Sequence, residues 1–572
     1  MRIIATAGHV DHGKSSLVLA LTGTNPDRFE EERRRGLTID LGFAHATLPS
    51  GEGVSFIDVP GHVRFLRNML AGVGGVDACM FVVAATEGWK PQSEEHLRIL
   101  QLLGLQHGLI ALTKTDLVDD DWRELQIMDI RDRLAGTFLA DAAIVPVSTV
   151  TADGIDHLTS ALDTLVGATP EALNHDRPRL WIDRVFAAKG SGTVVTGTLT
   201  GGSIAVDQRL ALAPQLREVR VRSIQSLGVA RDHVGPGHRT ALNLTGVDHH
   251  ELGRGDAIVA IDQWRPTTVF DASLQVLDSL EHNVSRRGAF VAYIGSGEYP
   301  VRLRVLGTEA VAPGHAGSVR LHLTIALPLV AGDRFILRES GRNETVGGGE
   351  VLDVAPVLPA SKAAPDRDVD RVIREHGWID VDDLAALTGE RRTATVERWV
   401  VDHAALAALH HSLTARLVAA GPLGLDLATL DDRERAVLAG LAEVRIEAGR
   451  ALPLAARDPL ADHPFVAALL AGGFTPPDAT GVNREELRQL VRREFVVERD
   501  GIWFHPATID AAAAQAARLL VIQPEGFTVS ELRDSLGVSR KYALPLVNEL
   551  DARGVTRRRG DLRIGGPRLP CA

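Results

Sequence analysis

The sequence has two cysteines in 572 residues, Cys79 and Cys571, and no C-x-x-C pattern. That excludes a disulfide framework and a cysteine-rich zinc site, and it fits a reducing, cytoplasmic setting. No apolar run is long enough to span a bilayer, so no membrane role is expected. The first strand-like run begins at Ile3, close to Met1, so no secretory signal is expected. Positive charge in excess is missing too: the net charge is −12. Such a chain does not coat nucleic acid along its whole length, although a local basic face remains open to it. Hydrophobic residues make up 45% and charged residues 24%, the balance of an ordinary soluble globular protein. The length suits roughly three to five domains, each able to bury its own core.

What is present starts at residue 8. Gly8-His9-Val10-Asp11-His12-Gly13-Lys14-Ser15 fits G-x-x-x-x-G-K-[ST], between a short apolar strand and a helix over 14–21. The glycines let the backbone curl so that its N–H groups, through Ser15 and Ser16, face an anion, and the helix N-terminus adds partial positive charge. Lys14 would reach the β/γ-phosphates and Ser15 would ligate Mg²⁺. Further short apolar runs follow at 54–57, 79–84, 109–112 and 144–147, the last three separated by helix-length polar segments. This is the pattern of a mostly parallel sheet covered by helices, whose functional residues sit on loops after the strands. Asp58-Val59-Pro60-Gly61 follows one run: Asp58 is placed to hold Mg²⁺ and Gly61 to meet a γ-phosphate. Thr113-Lys114-Thr115-Asp116 follows another. The Asp116 carboxylate can accept from guanine N1–H and its amino group, and adenine lacks that donor pair, so the nucleotide is GTP or GDP. The stem of Lys114 can cover the base. Ser148 and Thr149 after the last strand would back it.

Between the first two motifs stands Arg35-Gly36-Leu37-Thr38-Ile39, and His62 follows Gly61. With Gly-His-Val-Asp-His-Gly-Lys and Asp-Val-Pro-Gly-His, these residues resemble the translational GTPases close to elongation factor Tu. The resemblance implies that Thr38 ligates Mg²⁺ in the GTP state. It further implies that His62 positions the attacking water, and that Val10 and Leu37 form an apolar gate holding His62 back until the ribosome is engaged. Thr113 departs from the asparagine usual in that family, which leaves the bracing of the phosphate loop in question.

From Arg177 onward, alternating strands and glycine turns replace the helical pattern, which argues for two β-barrels. They resemble the second and third domains of the Tu architecture, notably at Gly190-Ser191-Gly192-Thr193-Val194-Val195-Thr196-Gly197 and Arg338–Arg342. The resemblance implies binding of an aminoacyl-tRNA. A selenol is acidic enough to be read as an anion, so Arg184 and Arg239, oriented by Asp183, are candidates for an aminoacyl pocket.

A proline- and alanine-rich linker follows, and about 200 further residues. Near the end, Thr528-Val529-Ser530-Glu531 is a capping box opening one helix, and Gly537-Val538-Ser539 is a turn with Ser539 as the N-cap of a second over 540–550. Pro545 should kink that helix. Residues 555–564 read as a hairpin wing. Helix-turn-helix plus wing is a nucleic-acid-binding layout. Arg540 and Lys541 in the first turn would meet phosphate, Tyr542 would stack on an unpaired base, and Arg557, Arg558 and Arg559 would track the backbone. Weaker copies precede it. His249-His250 and His410-His411 have no partner ligands at metal spacing and read as structural.

The expected architecture is multidomain: an α/β P-loop GTPase domain (1–174), β-barrels at 175–264 and 265–357, a linker at 358–365, and winged helices at 366–424, 425–482 (degenerate), 483–512 and 513–572. A Tu-like GTPase followed by such an array, ending in Ser-Arg-Lys-Tyr-Ala-Leu-Pro-Leu, resembles the bacterial selenocysteine-specific elongation factors. The resemblance implies a monomeric GTPase with GTP/GDP and Mg²⁺ as cofactors. Its partners would be selenocysteinyl-tRNA, an mRNA hairpin and the ribosome, and it would act at UGA codons. A general tRNA-carrying GTPase, a GTP-gated nucleic-acid-binding regulator and the GTPase subunit of a sulfate-activating enzyme are the competing readings. The C-terminal array counts against the first and third, and the tRNA-type barrels against the second.

Overall fold

The computed structural model describes residues 1–26, 38–61, 66–73, 75–188, 192–342, 344–421, 424–454, 460 and 462–571. They form two compact units, Met1–Asp402 and His403–Ala572. In the first, β1 (Arg2–Ala7), β2 (Gly42–Thr47), β3 (Gly53–Asp58), β4 (Ala78–Ala84), β5 (Gly108–Thr113) and β6 (Ile144–Pro146) make one sheet in the order β2-β3-β1-β4-β5-β6. All neighbours are parallel except β2, which runs antiparallel to β3. Every residue of β1 and β4 is buried, because helices cover both faces. Ile3 and Ala5 face one apolar core and Ile4 the other. Among the described residues the helices are Lys14–Thr22, Leu66–Val73, Pro91–Leu102, Asp120–Leu134 and Ile155–Ala168. β2 escapes sequence reading because Phe43 is its one large apolar residue; pairing with β3 defines it.

Two barrels follow. The first closes through six strands, with Arg209–Ala213 paired to both Ala257–Val259 and Arg217–Ser226. The second is a closed ring of six from Thr267–Val276 to Glu344–Asp353. Each has its own apolar core, around Leu180, Val195 and Leu242 in one and Phe270, Val319 and Phe335 in the other.

The segment 358–365 does not free what comes after it. Arg371, 6% exposed, pairs with Asp353 of the second barrel at 2.9 Å, and Arg367 pairs with Glu350. Arg177 donates to the carbonyls of Ala385 and Ala386, the open end of helix Val381–Thr388. Helices Val369–His376 and Val381–Thr388, with the paired strands Trp378–Asp380 and Trp399–Val401, therefore belong to the first compact unit.

The second unit divides differently from the segments read off the sequence. Helix His403–Ala420 falls within 366–424 but packs with helix Asp432–Gly440 and the sheet of Leu425–Asp426, Val444–Glu447 and Arg450–Pro453. Helix Pro464–Gly472 shares a core with Arg484–Arg492 (Phe465 and Leu469 against Leu487 and Leu490), so the third copy begins well before 483. The last copy starts at Pro506, not 513: helix Pro506–Ile522 buries Ile509, Ala512 and Ala516 against Leu532, Leu546 and Leu550. Its remaining elements are helices Val529–Leu536 and Arg540–Ala552 and a hairpin, Thr556–Arg559 with Leu562–Gly565. Helix Arg540–Ala552 runs on through Pro545, which is buried. Ser539 holds the N-cap position without a side-chain cap bond. The Thr528/Glu531 capping box is present in both directions.

Candidate nucleotide-binding site

The loops after β1, β3, β5 and β6 lie together along the carboxyl edge of the sheet. Gly8, His9, Val10, Asp11, His12 and Gly13 form the turn from β1 into helix Lys14–Thr22. Gly8 has φ +126°, and a Cβ there would overlap the Val82 carbonyl, so only glycine fits. Its N–H donates to Nδ1 of His96 at 3.1 Å, and the Val10 N–H to Oε1 of Gln92 at 3.1 Å. Both acceptors stand on helix Pro91–Leu102, one turn apart. Lys14 Nζ reaches the carbonyls of Gly8 (3.1 Å) and His9 (2.7 Å), and Ser16 in the same first turn is exposed.

Three oxygens from separate segments converge beside Lys14. Ser15 Oγ donates to Asp58 Oδ2 at 2.6 Å and lies 2.8 Å from Thr38 Oγ1. Asp58 is fully buried, and Thr6 Oγ1 donates to its other oxygen at 2.7 Å. Two hydroxyls and a carboxylate are the donor chemistry of a hard cation. Gly61 closes against the loop: a Cβ there would lie 2.7 Å from the Val10 nitrogen, so a side chain would push the two segments apart.

The residues expected around the base stand at the ends of β5 and β6 and on the loops after them. Thr113, 3% exposed, donates to the His12 carbonyl at 2.7 Å, so a hydroxyl braces the phosphate loop without an amide. Lys114 takes the left-handed conformation, φ 56°, and pairs with Glu87 at 3.3 Å. Asp116 is exposed on the next turn. The Thr115 N–H meets the Val147 carbonyl, which joins this loop to the one after β6. There Ser148 is buried and accepts from the N–H groups of Val150 and Thr151, while Thr149 is exposed.

Burial keeps the histidines of this site neutral. Desolvation pushes His12 down to about 4 and His96 to about 3, and it lowers His9 as well. A neutral His96 can accept at Nδ1, as the Gly8 bond requires.

Leu37, expected in the apolar gate, and His62, expected to position the water, lie outside the described residues, as do Gly190 and Ser191. Asp183, Arg184 and Arg239 do come together. Arg239 makes a two-pronged pair with Asp183 at 2.5 and 2.9 Å, and Thr196 Oγ1 donates to Asp183 at 2.7 Å. Both guanidiniums cover the Phe43 ring of β2, at 4.4 Å for Arg184 and 3.5 Å for Arg239. Arg184 also donates to the Leu41 carbonyl. The trio therefore stands where the first barrel meets the nucleotide domain, with its charges paired.

In the second unit, Arg540, Lys541, Arg557, Arg558 and Arg559 are exposed, and Tyr542 is half-buried with the Lys541 ammonium 5.2 Å from its ring centre. Arg563 turns inward, 5% exposed, and pairs with Asp551 at 2.6 Å, fastening the hairpin to the helix. Asp248, His249 and His250 bring possible ligand atoms within 4.8 Å of one another, so the expectation that His249-His250 has no partner ligand at metal spacing is corrected by the neighbouring Asp248. Asp248 there caps its short helix through the His250 N–H at 2.9 Å. Thr6, Gln92 and His96 are the further residues of the nucleotide site. They lie in a strand and a helix whose sequences carry no motif.

Residues 1–168 match the family described as "Elongation factor Tu GTP binding domain". Residues 274–357 match "Selenocysteine-specific elongation factor, beta-barrel domain", and 520–564 match "Elongation factor SelB, winged helix". The selenocysteine-specific elongation factor of Desulfomicrobium baculatum is 41% identical over 351 residues, 61% of this chain and 55% of that protein. That of Escherichia coli K12 is 34% identical over 397 residues, 67% of this chain and 62% of that protein. The matched region thus spans 55 to 62% of the length of these curated relatives. In fold, the crystal structure of a bacterial selenocysteine-specific elongation factor, EF-Sec, superposes with a TM-score of 0.78 at 24% identity, over 99% of both chains. The SelB factor of Methanococcus maripaludis, solved with a GTP analogue, gives 0.55 at 24% identity over 62% of this chain and 80% of that one.

Proposed function

This chain is a relative of the selenocysteine-specific elongation factors, and from that premise we propose that it is a GTPase carrying selenocysteinyl-tRNA to the ribosome at UGA codons marked by an mRNA hairpin. The observation that carries the reading is the pairing of two sites in one sequence. A phosphate loop meets Ser15, Thr38 and Asp58 in the first unit, and a winged helix presents Arg557, Arg558 and Arg559 in the second. Lys14, Gly61 and the loop N–H groups through Ser16 bind and orient the phosphates. Asp116 selects guanine, with Lys114, Ser148 and Thr149 around the base and Thr113 bracing the loop from behind.

Ser15, Thr38 and Asp58 would hold Mg²⁺, whose charge offsets that of the phosphates. Phosphoryl transfer to water needs mainly positioning and charge stabilisation, and His62 would orient the water once the Val10–Leu37 gate opens on the ribosome. The tRNA would lie across the nucleotide domain and barrels, with Asp183, Arg184 and Arg239 by its aminoacyl end. Double-stranded A-form RNA hides its major groove, so the last winged helix would read unpaired hairpin bases by stacking on Tyr542 while its arginines follow phosphates. The factor would act in the cytoplasm as a monomer.

Recovering the RNAs bound to the full-length chain tests this directly. A selenocysteine-specific tRNA and a hairpin-bearing message are expected in the GTP state. Recovery of a mixed tRNA population would instead indicate a general carrier, and preferential binding of duplex DNA over the hairpin a transcription regulator.

A further inference from the structure

Arg254, on the turn Gly253-Arg254-Gly255 of the first barrel, bonds to two segments of the nucleotide domain at once. Its Nε donates to the Asp183 carbonyl of its own barrel at 3.1 Å. Its Nη2 donates to Asp40 Oδ1 at 3.0 Å, two residues beyond Thr38. Its Nη1 donates to Asn68 Oδ1 at 2.8 Å, on helix Leu66–Val73, which follows the Asp58–Gly61 loop. Asn68 completes the link, because its Nδ2 donates to the Ile39 carbonyl at 2.8 Å. Ile39 and Asp40 are thus both held, immediately next to the Thr38 whose hydroxyl meets Ser15 at 2.8 Å. A planar guanidinium with forked donors can satisfy three acceptors in fixed directions, and a lysine cannot. Asp40 carries a second cation, Arg184, at 3.7 Å.

We propose that Arg254 is a positioning residue that makes the chain prefer GTP over GDP by holding Thr38 in place only when both sensing segments have docked on the barrel. The proposal rests on the GTPase reading above. Thr38 answers to the γ-phosphate, whereas the contacts of the base and of the α- and β-phosphates come from the loops at 8–16, 113–116 and 148–149. Loosening the 38–40 segment therefore weakens GTP and leaves GDP alone. By linkage, GTP binding and barrel docking favour each other to the same extent.

The test is the ratio of GTP to GDP affinity in the full chain with Mg²⁺, measured for the parent, Arg254→Ala, Arg254→Lys, Asn68→Ala and Asp40→Asn. Removing the charge-assisted bonds of Arg254 should cut the GTP:GDP ratio by about tenfold with GDP affinity unchanged. Arg254→Lys should recover little of it. Asn68→Ala should lower the ratio from the nucleotide-domain side, and combining it with Arg254→Ala should cost less than the two effects multiplied. An unchanged ratio in Arg254→Ala, or an equal fall for both nucleotides, overturns the proposal. If Arg254→Ala does not fold, Asn68→Ala and Asp40→Asn decide by the same ratio. A parent chain that binds no guanine nucleotide would instead overturn the GTPase reading itself.

Discussion

In the nucleotide domain several side chains hold the backbone of the loop at 8–13. Thr113 shows this best: its hydroxyl is buried and given to the His12 carbonyl at 2.7 Å. Thr113→Ala should leave that carbonyl without its donor, at a cost of about 1–3 kcal/mol, and loosen the loop at 8–13 proposed to hold the phosphates. GDP affinity should fall by up to about tenfold, read by equilibrium dialysis, with guanine preference retained. Unaltered affinity would show that the loop holds its shape without the hydroxyl.

His12 and His96 set an acid limit on the same region. Burial lowers them from 6.5 to about 4 and about 3, so the fold holds both rings neutral while the unfolded chain protonates them below 6.5. Their contribution to stability is complete above about pH 6.5 and is lost progressively as pH falls toward 4 and 3. Each ring adds a slope of about 1.4 kcal/mol per pH unit within that window. Urea midpoints for the full chain should decline between pH 6.5 and 5, above the range where most carboxylates titrate. The decline should be smaller in a His96→Asn variant, and a midpoint that stays flat over this range in the parent chain would remove the assignment.

Among the elements, the final hairpin divides its arginines by direction. Arg557, Arg558 and Arg559 are exposed, while Arg563 on the partner strand is spent on Asp551. Replacing the three exposed arginines with glutamine should weaken binding to all RNAs alike. It should also lower the salt slope by up to about one unit per lost phosphate contact. Arg563→Gln should instead lower the thermal stability of the second unit. Tyr542→Ala should change preference among loop bases without changing the salt slope. Equal salt slopes for the triple variant and the parent would move the RNA surface away from this hairpin.

Across the whole molecule, the compact units end and begin at Asp402 and His403. A cut before residue 513 would split helix Pro506–Ile522 and strip Ile509 and Ala512 from their core partners, so it tests unfolding as much as binding. Truncation after Asp402 avoids this, because Arg371, Arg367 and Arg177 keep the segment up to that point on the barrels. The shortened chain should bind GDP within about twofold of the parent and lose hairpin affinity entirely, with both measured by filter binding. Retained hairpin affinity would place the message reader in the first unit.

Much of this was legible in the sequence, for a physical reason: some residues are constrained by their own neighbours along the chain. A phosphate loop needs glycine at Gly8 and Gly13 and a lysine at a set spacing. Strands buried on both faces must be unbroken apolar runs, as at Ala78–Ala84. A capping box is written within four residues, Thr528 to Glu531. The GTPase, barrel and winged-helix architecture follows from such local patterns. Other features depend on partners far away in the chain. Strand Gly42–Thr47 exists through its pairing with Gly53–Asp58, and helix His403–Ala420 joins the sheet that follows it because its apolar residues find their partners there. His96 and Gln92 serve a loop more than 80 residues away, and Arg254 reaches Asp40 across 214. Folding alone brings them together, since a side chain's hydrogen-bond partner is set by distance in space, which spacing along the chain does not encode.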